Sequence, residues 1–333
     1  LRNNYPEMYR KNNCKICNSC LRHPIWKVKD MRYKTKDIHR YFQCINCGCL
    51  QIENIPDNIS DYYPKNYYSF QEVSKRKLLD PFFKKIFRNK IASVGISREF
   101  VSKLFHNIIS FPKHHEWFRL GNVTFKSNIL DIGSGNGSLL IRIMKEGFVN
   151  ISGIDPFIQR NINYENGLKI SKATLNDLNK DGFYDFIMMH HSLEHIPDQF
   201  KTFQHISRLL KKGGMGLIRI PVSNSFAWKQ YRMNWVQLDA PRHLFLHSEN
   251  SINILASSNG LKIKKIIYDS LGFQFFGSEL CERGILLQDH KLYLKKNGTK
   301  IFSKLQLYNW KKRSKELNKN KTGDMCCFYL SKE

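Results

Sequence analysis

The chain of 333 residues is poor in acid: 28 Asp and Glu stand against 54 Lys and Arg, a formal net charge of +26. It has no stretch approaching the roughly 18 apolar residues that a membrane helix requires. Its first thirty residues lack an apolar core of signal-peptide length. We find no internal repeat and no low-complexity segment, which excludes solenoids and arrays. These absences set the expectation of a cytoplasmic protein without a membrane span. The nine cysteines are an odd number in a chain with no export signal, which argues against a disulfide framework. The basic excess favours anionic partners, such as nucleic acid, a phosphorylated small molecule or an acidic surface. The lysines are scattered, however, in a chain also rich in Asn and Ile, a pattern that codon bias alone would produce.

What is present falls into four zones. Residues 10–56 hold the clustered cysteines, and residues 57–125 form an aromatic and basic connector with helical stretches near 75–90 and 97–110. Residues 126–269 alternate short apolar runs with amphipathic ones. Residues 270–333 are basic, with a helix expected near 300–318 and a final strand near 325–330. The third zone predicts strands at 127–132, 150–155, 167–172, 184–190, 215–220 and 262–268, with helices at 137–147, 157–165, 198–211 and 249–259. Phe200, Phe203, Ile206, Leu209 and Leu210 repeat at helical spacing. Lys211-Lys212-Gly213-Gly214 reads as the end of that helix. Ser248 reads as an N-cap, and Gly260 as a stop. Strands alternating with helices imply a mostly parallel α/β sheet covered on both faces.

The first strand of this zone ends in Asp131-Ile132-Gly133-Ser134-Gly135-Asn136-Gly137. Glycines here permit a tight turn and close approach of a ligand to the backbone. The second strand ends in Asp155, a carboxylate placed to accept ribose hydroxyls. Taken alone, the triplet is compatible with a structural turn or an NAD site. The spacing GxGxG and the acid two residues before it resemble motif I of the class I S-adenosylmethionine-dependent methyltransferases.

That resemblance implies a Rossmann-like fold with an antiparallel last strand and S-adenosyl-L-methionine as cofactor. It implies that Asp131, Gly133, Ser134, Gly135 and Gly137 hold the methionine end and Asp155 the ribose. Ala173 to Leu178 would lie at the adenine, with Asp177 accepting from the exocyclic amine and Leu178 beside it. Tyr184 to Asp198 resembles the fourth strand and its loop, with His190 near the cofactor. Leu209 to Gly214 precedes the fifth strand. The match covers about residues 120–270.

His191-Ser192-Leu193-Glu194-His195 formally fits an inverted zinc-protease motif. That chemistry needs both histidines on one helix and a distal carboxylate. This segment instead follows an apolar strand, with Pro197 two residues on, so a strand-to-loop transition is expected and His195 reads first as a loop-fixing residue.

Cys14-x-x-Cys17 and Cys44-x-x-Cys47 are separated by 26 residues, a zinc-ribbon pattern in which four thiolates hold a structural Zn2+. Cys20 and Cys49 are alternative members of the set. Residues 26–42 alternate enough to form strands. Tyr62-Tyr63-Pro64-Lys65-Asn66-Tyr67-Tyr68-Ser69 follows. A ribbon, this segment and a methyltransferase core resemble a bacterial group associated with surface-polysaccharide and sugar modification. A simpler role for these aromatics is to pack the ribbon on the core.

An insert at 221–247 carries Trp228, Tyr231, Trp235 and Pro241-Arg242-His243. It resembles the insert of such glycan-type enzymes. Aromatic faces suit sugar or base rings, and Arg242 suits a phosphate, unless the insert is simply a packed lid. A hydroxyl or carbon acceptor needs a base, and His191, His243 and His195 are the candidates. Two rival readings stand beside a sugar methyltransferase. One is an RNA or other nucleic-acid methyltransferase, although the NPPY-type motif is absent. The other is a non-catalytic scaffold.

Overall fold

The computed structural model describes residues 5–33, 37–63, 112–288 and 301–333. The helices expected near 75–90 and 97–110, and Pro64 to Ser69, lie outside the described residues. In chain order the strands are β1 (Met8–Lys11), β2 (Arg22–Lys29), β3 (Ile38–Gln43), β4 (Leu50–Ile52), β5 (Ile129–Ile132), β6 (Ile151–Ile154), β7 (Ile162–Asn163), β8 (Lys169–Ser171), β9 (Tyr184–His190), β10 (Leu210–Pro221), β11 (Phe245–Leu246), β12 (Leu261–Tyr268) and β13 (Met325–Lys332). The described α-helices are α1 (Lys113–Leu120), α2 (Ser138–Met144), α3 (Gln199–Leu209), α4 (Phe226–Tyr231), α5 (Glu249–Ser257), α6 (Phe273–Glu282) and α7 (Lys304–Lys319). Among the described residues no helix is long and apolar enough to cross a membrane.

Eight strands form the main sheet in the order β12-β13-β10-β9-β5-β6-β8-β7. β5 pairs in parallel with both β6 and β9, and β13 runs antiparallel to β10 and β12. This is the expected Rossmann-like α/β arrangement. The strand order reverses at β5, which opens a crevice at the carboxyl edge between β6 and β9. All four residues of β5 are buried because both faces of the sheet are covered.

Local expectations fail in two places. Residues 157–165 form no helix. They turn and return as β7, paired antiparallel with β8. Asn161 Oδ1 accepts from the Lys172 backbone amide at 2.7 Å, and Gly167 turns the hairpin at φ +87°. Asn side chains that bond the backbone compete with helix formation. The second failure is at the end of α3. That helix stops at Leu209, and Leu210 already pairs with Tyr184 of β9. Lys211 to Gly214 therefore bulge within β10 and do not cap the helix, with Gly213 at φ +75°. The caps of α5 hold: Ser248 and Ser251 form a reciprocal box, and Gly260 at φ +67° ends the segment.

A second, five-stranded sheet has the order β1-β2-β3-β4-β11. Four strands come from the cysteine-bearing segment and the fifth from the insert, with Leu246 opposite Leu50 and Phe245 opposite Gln51. Trp26, Tyr41 and Leu50 consequently share one hydrophobic cluster with Trp228, Trp235 and Leu330.

At the far side, α1 joins α2 through Glu146, whose Oε2 lies 3.0 Å from His114 Nε2 and 2.5 Å from His115 Nε2. Burial would raise this carboxyl, but the two imidazoles bring it down to about 2. A carboxyl depressed in the folded state contributes stability above its ordinary titration range and loses it as pH falls toward 2. We expect acid to shift the urea midpoint of the parent chain more steeply than that of Glu146→Gln. Equal slopes between pH 6 and pH 3 would contradict this.

Candidate active site

The glycine loop is built where β5 ends. Gly133, Gly135 and Gly137 all have positive φ, at +75°, +54° and +75°. A Cβ on Gly133 would stand 2.4 Å from Ser192 Cβ, so this glycine allows the loop after β9 to close on the loop after β5. The Gly133 and Ser134 amides donate to the Ile154 carbonyl at 2.8 and 3.1 Å. The Gly135 amide donates to Asp155 Oδ2 at 2.9 Å, and the Phe157 amide to Asp155 Oδ1 at 2.8 Å. Two buried carboxyls, Asp131 and Asp155, thus end adjacent strands. Burial first, and then the Asp155 carboxylate, push Asp131 up to about 8. Burial also raises Asp155, against the pull of its amide donors.

A cavity of about 370 Å³ opens at this edge. Its lining includes Ile132, Gly133 and Asp155, the segment Thr174, Leu175 and Asn176, and the residues His191, Ser192 and His195. Tyr63 and Phe157, also in the lining, stack on each other, 5.7 Å apart and 12° from parallel. Asp131, Ser134, Gly135 and Gly137 lie in the loop but do not line the cavity. Asp177 is turned away, its Oδ2 accepting from the Thr174 amide and hydroxyl, both at 2.8 Å. Leu178 packs against the core. His190 points elsewhere, its ring 4.2 Å from that of Trp117. Tyr63, Asn176 and Ser192 were read only as members of longer segments and Phe157 not at all, since nothing in their spacing separates them from ordinary loop residues.

The three histidines read as candidate bases do converge, around a residue seen only within the rejected protease motif. His191 takes φ +53°, and the turn after it is a short 3-10 segment, Leu193–His195, as the strand-to-loop reading requires. Glu194 is fully buried, and neither of its carboxylate oxygens has a hydrogen-bond partner. His191 Nδ1 stands 3.6 Å from Glu194 Oε1 and His243 Nε2 stands 3.9 Å from it. The His195 and His243 rings meet edge to face at 4.7 Å. Burial would raise Glu194, but the surrounding imidazoles reverse that and hold it ionised, at about 2. His191 Nε2 accepts from Arg219 Nη1 at 2.6 Å, and Arg219 Nε donates to Asp269 at 2.8 Å. A lone pair already held by a guanidinium is a poor proton acceptor.

The insert differs from its expected role. Trp228 and Trp235 are buried, and their indole N–H groups donate to Gln43 Oε1 at 3.1 Å and Asp324 Oδ2 at 3.0 Å. Trp228 meets Trp26 edge to face at 5.0 Å. These rings join the ribbon to the core and do not face a ligand. Arg242 is likewise no phosphate binder: it is fully buried, with Nη2 at 2.7 Å from Asp30 and 2.8 Å from Asp239. Burial made these residues structural, a distinction that residue type cannot carry.

The Sγ atoms of Cys14, Cys17, Cys44 and Cys47 all lie within 4.8 Å of one another. Cys14 and Cys47 are 3.6 Å apart, and Cys17 and Cys44 3.5 Å. Four thiolates at about 2.3 Å from a tetrahedral ion would be about 3.8 Å apart, so the set fits a closed metal site. Gln51 Nε2 and the Ile16 amide donate to Cys14 Sγ at 2.9 and 3.4 Å, supporting a thiolate there. Cys20 is exposed and bonded to Asn13, and Cys49 is buried beside His247, so neither belongs to the cluster.

A family model described as a methyltransferase domain matches residues 72–266. A ubiquinone biosynthesis O-methyltransferase of Rickettsia conorii (strain ATCC VR-613 / Malish 7) is 25% identical over 177 residues, 51% of this chain and 57% of that one. An EEF1A lysine methyltransferase 2 of Danio rerio is 40% identical over 58 residues, 16% of this chain and 25% of that one. The chain therefore spans a little over half the length of the first relative and a quarter of the second. A solved structure, geranyl diphosphate C-methyltransferase from Streptomyces coelicolor A3(2), has a TM-score of 0.45 and 12% identity, covering 82% of this chain and 96% of that chain. With the family match spanning more than half of its length, this chain belongs to the methyltransferase-domain family, in its class I S-adenosylmethionine-dependent form.

Proposed function

We propose that the protein transfers a methyl group from S-adenosylmethionine to an oxygen or carbon of a small molecule. The single observation that carries this reading is Asp155. It ends β6 on the cavity wall, with its carboxylate bonded to the glycine loop at Gly135. In this reading Asp155 accepts the ribose hydroxyls and Thr174, Leu175 and Asn176 surround the adenine, in place of the Asp177 expected from resemblance. Asp131 lies buried in the glycine loop off the cavity lining, so its part at the methionine end is to hold that loop. The cofactor would supply an activated methyl on a sulfonium, so the chain's main task is alignment and exclusion of water. The stacked rings of Tyr63 and Phe157 add an apolar surface to the cavity lining. The Glu194–His195–His243 cluster is assigned to the acceptor hydroxyl, while His191, held by Arg219, is assigned to positioning.

Calorimetry tests the cofactor half of this reading. Charge-assisted hydrogen bonds contribute about 1.5–3 kcal/mol each, and about 1.4 kcal/mol is tenfold in affinity. Asp155→Ala is therefore expected to weaken S-adenosylmethionine by at least tenfold. Equal affinity in both proteins, or no binding to the parent chain, would overturn the assignment.

For the acceptor we keep a sugar, as a nucleotide sugar or glycan precursor in surface-polysaccharide synthesis. Its support is the layout of cysteine ribbon, tyrosine segment and insert, together with a charge of +26. The Rickettsia relative favours a second class, hydroxylated aromatic acceptors. Labelled cofactor offered with nucleotide sugars, catechols and RNA separates them, and label in RNA alone would remove both. The four cysteines are assigned a structural Zn2+.

A further inference from the structure

We propose that Glu194, His195 and His243 bind a divalent transition-metal ion beside the cofactor cavity, separate from the four-cysteine site.

The argument begins with protons. His195 Nδ1 lies 2.8 Å from the Arg242 carbonyl oxygen, and His243 Nδ1 lies 2.7 Å from the Gln237 carbonyl oxygen. A carbonyl only accepts, so both Nδ1 atoms carry the proton and both Nε2 atoms present lone pairs. This is how metal-ligating histidines are usually held, with the second nitrogen donating to a backbone carbonyl. The third member, Glu194, adds two carboxylate oxygens that are fully buried and without a hydrogen-bond partner. One donor atom from each residue lies within 4.8 Å of the others. Three lone-pair donors turned to one buried point are unfavourable unless a cation sits among them, and the His191 Nδ1–H, 3.6 Å from Glu194 Oε1, stands too far off to answer them.

A shared proton is the competing explanation. It would draw at least one pair to hydrogen-bond distance, as happens at Glu146, where one oxygen lies 2.5 and 3.0 Å from two imidazoles. At Glu194 the nearest imidazole nitrogens are His191 Nδ1, outside the proposed set, at 3.6 Å and His243 Nε2 at 3.9 Å. Two ligands about 2.1 Å from a tetrahedral ion would be about 3.4 Å apart, and the three donor atoms lie within 4.8 Å of one another, so an inward shift of about an ångström completes the site. The scaffold is already tied: the Leu244 amide donates to the Glu194 carbonyl at 2.8 Å, and Tyr41 donates to the His243 carbonyl at 2.8 Å. Two imidazoles with one carboxylate suit zinc, iron and manganese and leave coordination positions open. His195 lines the cavity, so those positions can take water or an oxygen of a bound molecule. Use of the ion in catalysis rests on the methyltransferase reading; its binding does not.

The test uses the full chain with the cysteine-bound metal in place, titrated with Mn2+ and followed by electron paramagnetic resonance. One Mn2+ per chain is expected, with nitrogen couplings from two imidazoles. Glu194→Gln and His243→Gln should each weaken binding tenfold or more while circular dichroism is unchanged. The couplings in the parent chain decide the matter even if a variant fails to fold. Absence of Mn2+, Co2+ and Zn2+ binding beyond the cysteine-bound ion, or binding without nitrogen couplings, overturns the proposal. Calorimetry with S-adenosylmethionine runs alongside. Cofactor binding without metal binding fails this proposal alone, and metal binding without cofactor binding fails only the methyltransferase reading.

Discussion

Removing the metal assigned to Cys14, Cys17, Cys44 and Cys47 is expected to unfold the ribbon and then to loosen the core. Structural zinc contributes an apparent ~10–16 kcal/mol to folding in small zinc modules. Here the effect extends further, because the ribbon is not a separate bead. β4 supplies the edge on which β11 pairs, and the Ser223 hydroxyl donates to the Gly48 carbonyl at 2.7 Å. Ser248, the N-cap of α5, also donates its hydroxyl to the Cys47 carbonyl. Gly48, at φ +78°, lets the knuckle approach Ser248. Loss of the knuckles would expose Trp26 and Trp228 to water and withdraw Tyr41 from His243. The measurement is metal content by atomic absorption against thermal unfolding, before and after a strong chelator. Cys44→Ser should reproduce the chelated state. A chain stripped of metal that keeps its midpoint and its cofactor affinity would show the cluster to be dispensable.

Breaking the buried charge cluster between ribbon and insert is expected to cost about 3–5 kcal/mol, the usual penalty for stranding a buried charge. Arg242 sits between Asp30 and Asp239, all with side chains 3% exposed or less, and Arg32 Nε reaches Asp239 at 2.8 Å. Burial would push Asp239 up, but the two guanidiniums hold it well below the carboxylate range. Arg242→Ala removes the guanidinium that Asp30 and Asp239 share, so it should destabilise more than Asp30→Ala. Urea unfolding would give both values. A loss under about 1 kcal/mol for Arg242→Ala would mean that water or rearrangement compensates the acids. The same cluster orients the Arg242 carbonyl on His195, so Asp30→Ala should also disturb the histidine cluster without touching it.

Much of the fold was legible because it rests on local patterns. Three apolar residues around Asp131 in β5, a glycine loop whose turns need positive φ, and a carboxylate after β6 are all short-range signals. The antiparallel last strand followed from family resemblance, and the structure bears it out. The errors are of one kind. Residues 157–165 looked helical as an amphipathic run between two strands, but Asn side chains bonded the backbone and Gly167 turned it. Lys211 to Gly214 looked like a helix stop, but pairing of Leu210 with β9 drew them into a strand. Aromatic and arginine side chains in the insert looked like ligand contacts, because sequence does not report burial.

From the sequence alone came the Rossmann-like architecture, the glycine loop, Asp155 and the four-cysteine pattern, since each depends on residues close in the chain and on backbone conformations that few residue types permit. Only the tertiary structure decided which residues line the cavity, that Cys20 and Cys49 stand outside the cluster, and that Arg242 is structural. It also brought Glu194, His195 and His243 to one point, two from the loop after β9 and one from the insert nearly fifty residues later. Those outcomes depend on packing between distant segments, where burial and pairing set the role of a side chain that is chemically the same wherever it lies.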